Sequence, residues 1–300
     1  MQRPLSIVDA FAERPYHGNP AAIVLLAASD VLAGDTPEAD ATRLHIAGEM
    51  NLSETAFVTL PAEHTAEPFG LRWYTPTREV DLCGHATLAA AHALYDAGRV
   101  SLHQPLSFQT RSGLLRASPD ADWKGFWLDF PSTPPAAAEP AAGVLAALGV
   151  AADAPLFTGR STPPDGRDDG SENDYFDWFV ELADAGAVAR LDPDACRLGE
   201  LTGIGGNRGV VVAAKADGAS ADVVSRCFYP AYGIDEDPVT GSAHCTIGPY
   251  FARELGKSDG DVLRCHQASR RGGDLRVVMR GDRVHLGGRA VTVVRGNLVA

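Results

Sequence analysis

The spacing of apolar and polar positions predicts a chain of short strands with a few helices between them. Apolar runs at residues 5–11 and 21–26 predict two strands on either side of a Gly-Asn-Pro turn at 18–20. Apolar side chains at helical spacing predict a helix over 40–50, and a run of small residues predicts a second helix over 86–97. Further strands are predicted at 55–60, 69–75, 105–110, 113–118 and 126–130.

The composition changes in the central region. The Pro- and Ala-rich stretch 131–140 predicts a linker or a surface crossing, and a short helix is predicted at 141–148. Residues 159–174 are polar and rich in turn formers, which predicts an exposed loop that either shapes specificity or is merely solvated. Strands are predicted at 174–183, at 209–216 and, from alternating apolar and polar residues, over 274–296.

Two parts of the chain resemble each other. Residues 79–86, Glu-Val-Asp-Leu-Cys-Gly-His-Ala, align without a gap with residues 236–243, Glu-Asp-Pro-Val-Thr-Gly-Ser-Ala. A predicted helix that ends at a glycine follows each of them, and further on 109–118 resembles 267–278 with a short insertion. Three matches in the same order predict a duplicated fold. Two equivalent domains would meet at a cleft, and small ligands prefer such clefts.

Charge narrows the classes of partner. The 300 residues carry a formal net charge of −13 with globular proportions of hydrophobic and charged residues. This charge argues against binding to nucleic acid or to an anionic membrane surface, because both need basic patches. It does not exclude a small anionic substrate, which local amides and dipoles can bind.

The cysteines and the N-terminal stretch indicate a compartment. The five cysteines are widely spaced and include no CxxC pair, which is typical of free thiols in a reducing cytoplasm. The first fifteen residues contain no long apolar segment, so we expect no signal peptide. No apolar run is long enough to span a bilayer. We therefore expect a cytoplasmic protein.

Two predicted helix starts are candidate anion sites. Gly84-His85-Ala86 and Gly241-Ser242-Ala243 each precede a helix, whose first turn presents unpaired N–H groups and a partial positive charge. Either start taken alone is also explained by capping, and Ser242 has the chemistry of an ordinary cap. Two starts related by a repeat could hold one anionic substrate from both sides.

Several side chains are candidate acids and bases. Glu54 lies in Asn-Leu-Ser-Glu-Thr between a predicted helix and an apolar strand, Asp237 lies just ahead of Ser242, and His85 titrates near neutrality. Each also has a structural explanation, as a surface or capping acid, a turn acid or a buried hydrogen-bonding histidine. Cys83 stands before a helix start, but its counterpart in the repeat is Thr240, so these positions cannot form a two-thiol acid/base pair.

Metal and nucleotide motifs are absent from the sequence. There is no HExxH or CxxC, and the nine histidines are scattered. The glycine-rich stretch 203–209 has Arg208 where a GxGxxG motif requires its last glycine. The sequence therefore predicts no metal site and no cofactor.

The chain resembles the PhzF-like isomerases of phenazine biosynthesis. The resemblance rests on five stretches in order from Val8 to Gly273: VDAFAERPYHGNPAAIVLL, MNLSETAFV, YTPTREVDLCGHATLAAAHAL, YPAYGIDEDPVTGSAHC and QASRRGG. It implies an α/β (α+β) fold like that of diaminopimelate epimerase, with two pseudo-symmetric domains, each a mixed sheet or open barrel around a central helix. The domains are expected at 1–132 and 133–288, with a C-terminal strand over 289–300 that can return to the first.

The resemblance also implies residue roles. Glu54 of the Ser-Glu-Thr motif would be the acid/base that moves a proton between carbons, with His85 and Asp237 binding and polarising the substrate. Gly84, Gly241, Ser242 and Asn19 would be further substrate-binding residues. Thr240 stands where the epimerases of this fold have a second catalytic cysteine, which disfavours their two-thiol mechanism.

The expected function follows from these roles. It is a cofactor-independent proton shuttle on a small carboxylate such as trans-2,3-dihydro-3-hydroxyanthranilate, in the cleft between two domains of a homodimeric protein. A carboxylate shielded from water suits taking a proton from one carbon and returning it to another. Two alternatives stay open: an amino-acid epimerase or racemase that uses Glu54 or Cys83 with another base, and a non-catalytic member that binds a metabolite.

Overall fold

Strands outnumber helices in the part of the chain that the structure describes. The computed structural model describes residues 2–62, 68–101, 103–120, 122–162, 176–203 and 207–299. The strands are β1 Arg3–Ala10, β2 Asn19–Leu26, β3 Glu54–Thr59, β4 Phe69–Tyr74, β5 Glu79–Val80, β6 Leu106–Thr110, β7 Gly113–Asp120, β8 Gly125–Pro131, β9 Pro135–Ala137, β10 Phe157–Ser161, β11 Phe176–Glu181, β12 Asn207–Lys215, β13 Val223–Tyr229, β14 Ile234–Asp237, β15 Val262–Gln267, β16 Gly273–Arg280, β17 Arg283–Gly288 and β18 Ala290–Leu298. The α-helices are α1 Pro37–Met50, α2 Gly84–Asp96, α3 Val144–Ala147, α4 Ala185–Ala189, α5 Ala195–Thr202 and α6 Gly241–Glu254.

The chain divides into two compact units. Unit 1 comprises Met1–Asp129 and Gly287–Ala300, and unit 2 comprises Phe130–Leu286. The C-terminal strand β18 pairs antiparallel with β1 and so belongs to unit 1. In the described residues, no helix has the length and apolar character needed to cross a membrane.

Unit 1 is built around α2. This helix packs against β1, β2, β3, β7 and β18, and ten of its thirteen residues are buried. Its sequence, GHATLAAAHALYD, consists mostly of small residues, which allow strands to approach on several sides. Helix α1 covers β3 and β4. In strand β2, Ala21–Leu26 are all buried. Because the strand is buried along most of its length, it needs apolar residues at nearly every position.

Unit 2 has the same plan around α6. This helix packs against β12 and β16, and ten of its fourteen residues are buried. Gly248 permits the close approach, because a Cβ there would lie 2.7 Å from Val277 Cγ1. A separate apolar cluster joins α3, α4 and α5 to the strands β11, β12 and β13.

The strand pairings of the two units follow one order. In unit 1, β1–β2 is antiparallel, β2–β3 parallel, β3–β4 and β4–β5 antiparallel, β4–β6 parallel and β6–β7 antiparallel. In unit 2, β10–β11, β11–β12, β12–β13, β13–β14, β13–β15 and β15–β16 repeat that series. Each first strand also pairs antiparallel with one further strand, β18 for β1 and β9 for β10. The predicted fold class, two pseudo-symmetric α/β units each around a central helix, is confirmed.

Some local predictions differ from the structure. The predicted linker 131–140 contains the short strand β9, and the helices predicted to follow Gly84 and Gly241 begin at these glycines. Strands β13 and β15 were not predicted, because Ser225-Arg226 and Arg264 interrupt their apolar patterns. The prediction of a loop over 159–174 is wrong at its start, because residues 159–161 belong to strand β10, and from 163 onward it lies outside the described residues.

An arginine–glutamate bracket recurs at the same place in each unit. Arg72 on β4 donates from Nε and Nη2 to Glu79 on β5 at 2.6 and 2.7 Å. Arg226 on β13 donates in the same way to Glu236 on β14 at 2.6 and 2.9 Å. Both brackets are mostly buried, so their two-pronged geometry fixes the short strand that leads to each central helix.

The two brackets differ in their other partners, which gives a stability prediction. Arg72 also contacts the carboxylates of Asp35 and Asp40, whereas Arg226 has only the carbonyl of Leu191 besides Glu236 among the described polar partners. We expect Glu236→Gln to lower the free energy of unfolding by about 2 kcal/mol and Glu79→Gln by about 1 kcal/mol, because only the first leaves a mostly buried guanidinium without a carboxylate. Glu79 also pairs with Arg111 at 2.8 Å, but the Arg111 side chain is half exposed, so the loss of that pair costs little. Urea denaturation followed by circular dichroism measures both, and a larger loss for Glu79→Gln would contradict this account.

Candidate functional site

Glu54 is placed by the end of helix α1. Asn51 ends that helix in the left-handed conformation, with φ +50° and ψ +40°, and its N–H donates to Ala47 at 3.0 Å. An asparagine tolerates this conformation better than most residues, so the chain can turn directly into β3. Glu54 is the first residue of β3 and lies opposite Ala21 of β2. Its side chain is only 13% exposed.

His85 meets Glu54 inside unit 1. It is the second residue of α2 and is buried. Its Nε2 lies 3.0 Å from Glu54 Oε2, and its Nδ1 lies 3.3 Å from Asn19 Nδ2 and 3.5 Å from Cys83 Sγ. The structure therefore brings together Glu54, His85 and Asn19 and adds Cys83, which the sequence offered only as an alternative group of an epimerase.

The Glu54–His85 contact is an ion-pair contact rather than a linear hydrogen bond. Both atoms are buried, yet neither Glu54 Oε2 nor His85 Nε2 has a hydrogen-bond partner of good geometry among the described residues. A contact of this length with an unsatisfactory angle leaves the carboxylate oxygen able to accept a proton from another direction.

Charge decides the protonation state of His85. Burial alone lowers the pKa of a histidine, but charge and hydrogen-bond interactions with Cys83 and Glu54 raise the pKa of His85 well above 6.5. The pKa of the Cys83 thiol is itself raised to about 11 by burial and by the Glu54 charge. Cys83 is therefore a neutral thiol near pH 7, where it acts on His85 through its hydrogen bond, while the Glu54 carboxylate supplies the opposing charge. An imidazolium donates from Nδ1 as well, either to Cys83 or to the Asn19 amide turned with its oxygen toward the ring.

The same cluster has the chemistry of a metal-binding group. Donor atoms of Glu54, Cys83 and His85 all lie within 4.8 Å of one another, and they are the one such group of three in the described residues. Carboxylate, thiolate and imidazole suit zinc, which would compete for the lone pairs that otherwise hold protons. Spacing along the chain did not indicate this grouping, because Glu54 comes from a different element than Cys83 and His85.

Asp237 and Thr240 form the corresponding turn of unit 2. Asp237 ends β14 and is buried, and the Thr240 hydroxyl donates to Asp237 Oδ2. Gln267, which is fully buried, accepts from the Thr240 N–H at 2.8 Å and donates to the Asp237 carbonyl at 2.8 Å. The glutamine of the predicted repeat thus fixes this turn, a role that its sequence did not indicate.

The first turns of the two central helices are not capped by side chains. Cys83 and Thr240 are the N-cap residues of α2 and α6, and in the described structure neither side chain accepts from its helix. Gly84 and Gly241 are the first residues of these helices and are buried. The N–H groups of each first turn are therefore left for other partners. Ser242, expected to cap α6 if it had no other role, is its second residue and contacts Arg208 Nη1 at 3.3 Å.

His244 shows what burial does without an acid. It is fully buried on α6, and its Nδ1 lies 2.8 Å from the Thr240 carbonyl oxygen. Burial lowers the pKa of His244 to about 4. His244 is therefore neutral near pH 7, donates from Nδ1 and cannot supply the positive charge that His85 carries.

Comparisons with known proteins place the chain in a family. The model of the phenazine biosynthesis-like proteins, PhzC-PhzF, matches residues 8–296. An uncharacterized isomerase of Halalkalibacterium halodurans is 40% identical over 300 residues, covering 100% of this chain and 99% of the relative. A crystal structure of a PhzF-family phenazine biosynthesis protein from Enterococcus faecalis is 36% identical, covers 100% of both chains and superposes with a TM-score of 0.82.

A more distant structure shares the fold. A hydroxyproline epimerase from Agrobacterium vitis is 14% identical, with 99% of this chain and 92% of that chain covered and a TM-score of 0.59. At this identity the likeness concerns the fold alone, and it agrees with the epimerase-like fold expected from the sequence. From the family match and its near-complete coverage, the chain belongs to the phenazine biosynthesis-like (PhzC-PhzF) family.

Proposed function

We propose that this protein is a cofactor-independent isomerase that moves a proton between two carbons of a small carboxylate, trans-2,3-dihydro-3-hydroxyanthranilate or an analogue. The observation that carries the proposal is the buried contact of 3.0 Å between Glu54 Oε2 and His85 Nε2. Family membership and a relative named as an isomerase support the reaction class. We also expect the protein to be a homodimer.

Glu54 is the proposed acid/base. In an amino-cyclohexadiene acid, the conjugated diene makes a neighbouring C–H acidic. The Glu54 carboxylate takes that proton, the electron pair of the broken C–H bond spreads over the diene, and the protonated Glu54 returns the proton to another carbon. The product is an isomer of the substrate and the enzyme regains its starting state, so no redox partner is needed.

His85 has the proposed role of stabilising charge. Before the transfer, its imidazolium pairs with the Glu54 carboxylate. Once Glu54 holds the proton, the negative charge lies on the substrate, and the buried imidazolium faces that charge in surroundings of low polarity. A protonated His85 therefore stabilises the charge that develops during the reaction.

The remaining predicted residues are proposed to bind substrate. Asn19 orients His85 from the start of β2, at 3.3 Å from its Nδ1. Gly84 and Gly241 begin the central helices, where uncapped N–H groups suit anionic oxygens. For unit 2, we propose that Asp237 and Ser242 bind polar groups of a substrate, with the turn between them fixed by Gln267.

An epimerase remains the second candidate, because Cys83 Sγ lies 3.5 Å from His85 Nδ1. A thiol whose pKa is about 11 can donate a proton to a carbanion. Epimerisation needs a base and an acid on opposite faces of the α-carbon. Since the donor atoms of Glu54 and Cys83 lie within 4.8 Å of each other, either group would act together with another base on the other face. The two reactions differ in where a solvent deuteron enters the substrate.

A prediction about catalysis concerns Glu54→Gln in heavy water. We expect the wild type to rearrange trans-2,3-dihydro-3-hydroxyanthranilate with deuterium uptake, and Glu54→Gln to be slower by at least about 100-fold, because an amide cannot accept the proton. Proton NMR follows both the rearrangement and the label. Glu49→Gln, the same change at an exposed position of α1, should leave the rate unchanged.

The outcomes separate the candidate functions. If deuterium entered only the α-carbon of an amino acid, the proposed function would be an epimerase instead of an isomerase. A folded wild type that exchanges no carbon-bound hydrogen of any small amino or hydroxy carboxylic acid would exclude catalysis of this kind and leave a binding protein.

A further prediction concerns the protonation of His85. In an NMR titration of the histidine ring signals, we expect His85 to titrate above pH 6.5 in the wild type and at a lower pH in Glu54→Gln, because the variant loses the opposing carboxylate. His244 should titrate near pH 4 in both proteins and serves as an internal control. A His85 midpoint that Glu54→Gln does not change would contradict the ion pair.

The same shift predicts a pH dependence of stability. Because the folded-state pKa of His85 lies above its unfolded value, the contribution of its protonated form to stability is fully present below about pH 6.5. That contribution is lost as the pH rises through the folded-state pKa. Replacing His85 by Gln should remove this component from the pH dependence of urea denaturation.

A further inference from the structure

Arg208 and Asp177 form a charged group in unit 2 that the proposed reaction does not use. Arg208 is the second residue of β12, and Asp177 lies on the parallel neighbour β11, opposite Gly209. Arg208 Nε donates to Asp177 Oδ1 at 3.1 Å, and Nη2 donates to Asp177 Oδ2. The Asp177 side chain is 1% exposed and the Arg208 side chain is 25% exposed. Asp177 is thus the buried end of the pair, and Arg208 reaches the surface of the unit.

The surroundings hold the guanidinium in one place. The Tyr229 ring lies 5.6 Å from the Arg208 Cζ, and its hydroxyl lies 3.4 Å from Asp177 Oδ2. The N–H of Asp177 donates to the Ser161 hydroxyl at 2.9 Å. Gly209 allows β12 to run close to β13, because a Cβ there would lie 2.1 Å from the Phe228 oxygen. A buried ion pair contributes little net stability compared with an apolar pair of similar size, so stability alone does not account for this arrangement.

A count of donors shows what the guanidinium can still bind. Arginine carries five N–H donors in a planar fork. Two are used by Asp177, and a third, on Nη1, donates to the Ser242 hydroxyl oxygen at 3.3 Å. One N–H on each terminal nitrogen therefore has no partner in the described parts of the chain. Paired donors on an arginine fork match the two oxygens of a carboxylate.

Ser242 extends the donor set. Its oxygen accepts from Arg208, so its own O–H hydrogen is free to donate onward. It is also the second residue of the fourteen-residue helix α6, whose N-terminus favours negative charge. The guanidinium, the hydroxyl and the helix thus all favour a single kind of ligand, an anion.

Comparison with unit 1 shows how the duplicated frame has diverged. Thr55 and Val210 are equivalent, because each pairs with the residue two beyond its bracket arginine. Arg208 therefore lies one residue before the position equivalent to Glu54, and Ser242 is the counterpart of His85. Unit 1 has a carboxylate and an imidazole there, both of which can take up and release protons. Unit 2 has a guanidinium and a hydroxyl, which bind an anion without taking its proton.

We propose that Arg208 binds a carboxylate of the substrate through the N–H groups that Asp177 and Ser242 leave available. The inference rests on the proposed function, because it assigns a residue to the carboxylate of the same substrate class. Asp177 is the positioning residue that holds the guanidinium, and Arg208 contacts the ligand. The side chain thereby selects carboxylate-bearing molecules over neutral analogues.

The test compares two ligands that differ by the carboxylate alone. The probes are 3-hydroxyanthranilate, an aromatic analogue of the proposed substrate, and 2-aminophenol, which lacks its carboxylate. Calorimetry gives the affinity of each for the wild type, Arg208→Gln and Arg208→Lys. We expect Arg208→Gln to weaken the binding of 3-hydroxyanthranilate by about 10- to 100-fold, since hydrogen bonds to charged groups have this magnitude. The affinity for 2-aminophenol should not change. Lysine should restore part of the loss, because it keeps the charge without the fork.

A paired variant guards against misfolding. Arg208→Gln leaves the buried carboxylate of Asp177 without its partner, which can destabilise the fold. The double variant Asp177→Asn with Arg208→Gln removes both charges and should show the same selective loss. Arg190→Gln, an exposed arginine of the same unit, should change neither affinity.

Each result decides between a binding role and a structural one. The proposal would be overturned if Arg208→Gln weakened the binding of both probes equally, or of neither. It would also be overturned if the wild type bound neither probe, or bound both with the same affinity. A wild type without isomerase activity whose preference for the carboxylate disappears with Arg208 would refute the proposed reaction and keep this inference. Arg208 variants that keep both isomerase activity and the preference for the carboxylate would support the proposed reaction and refute this inference.

Discussion

The structure depends on the burial of a helix start inside each unit. Ten residues of α2 and ten of α6 are buried, so the first turn of each lies among strands rather than in solvent. The N–H groups of a first turn need partners or a ligand, and an uncompensated buried donor is costly. In both units the N-cap side chain serves another purpose, since Cys83 contacts His85 and Thr240 donates to Asp237. The N–H groups that the fold buries at each helix start, and that need partners, are thus the same groups that can bind an anion.

Duplication explains why the two units share a frame and differ in chemistry. The brackets of Arg72 with Glu79 and Arg226 with Glu236 have nearly the same geometry, because both set the strand that leads into the central helix. That part of the sequence has a structural task and is retained in both copies. The residues just beyond it have no such task. They are free to differ, and Cys83-Gly-His85 is aligned with Thr240-Gly-Ser242.

Patterns along the chain predicted the frame better than the site. The gapless match of 79–86 with 236–243 predicted the duplicated fold, since it carries both the bracket glutamate and the helix start. Strands β13 and β15 were missed because charged residues that are paired across strands break the apolar alternation there. Family resemblance indicated Glu54 and His85 as candidates. Their contact could not be read from spacing, because it requires β3 to pass beside the start of α2.

Arg208 illustrates a different limit. In the sequence it appeared only as the residue that spoils a glycine-rich motif, since its partners Asp177 and Ser242 lie far from it along the chain. Long-range polar contacts depend on which strands pair, and parallel pairing of β11 with β12 is not visible in local composition. A charged residue at the start of an apolar strand was nevertheless a usable signal, because such a residue needs a partner once the strand is buried.

Two buried histidines, His85 and His244, show what determines the chemistry of each central helix. His85 and His244 occupy the first turns of equivalent helices, and both are excluded from water. Burial lowers the pKa of either ring, yet only His244 follows that tendency. The difference is the carboxylate of Glu54, which β3 places beside His85, whereas the nearest polar partner of His244 is a neutral carbonyl. Proton affinity in this fold is therefore set by which strand end reaches the helix, rather than by the depth of burial. A duplicated frame can hold a carboxylate–imidazole pair in one copy and an arginine held by a buried carboxylate in the other without any change in its architecture.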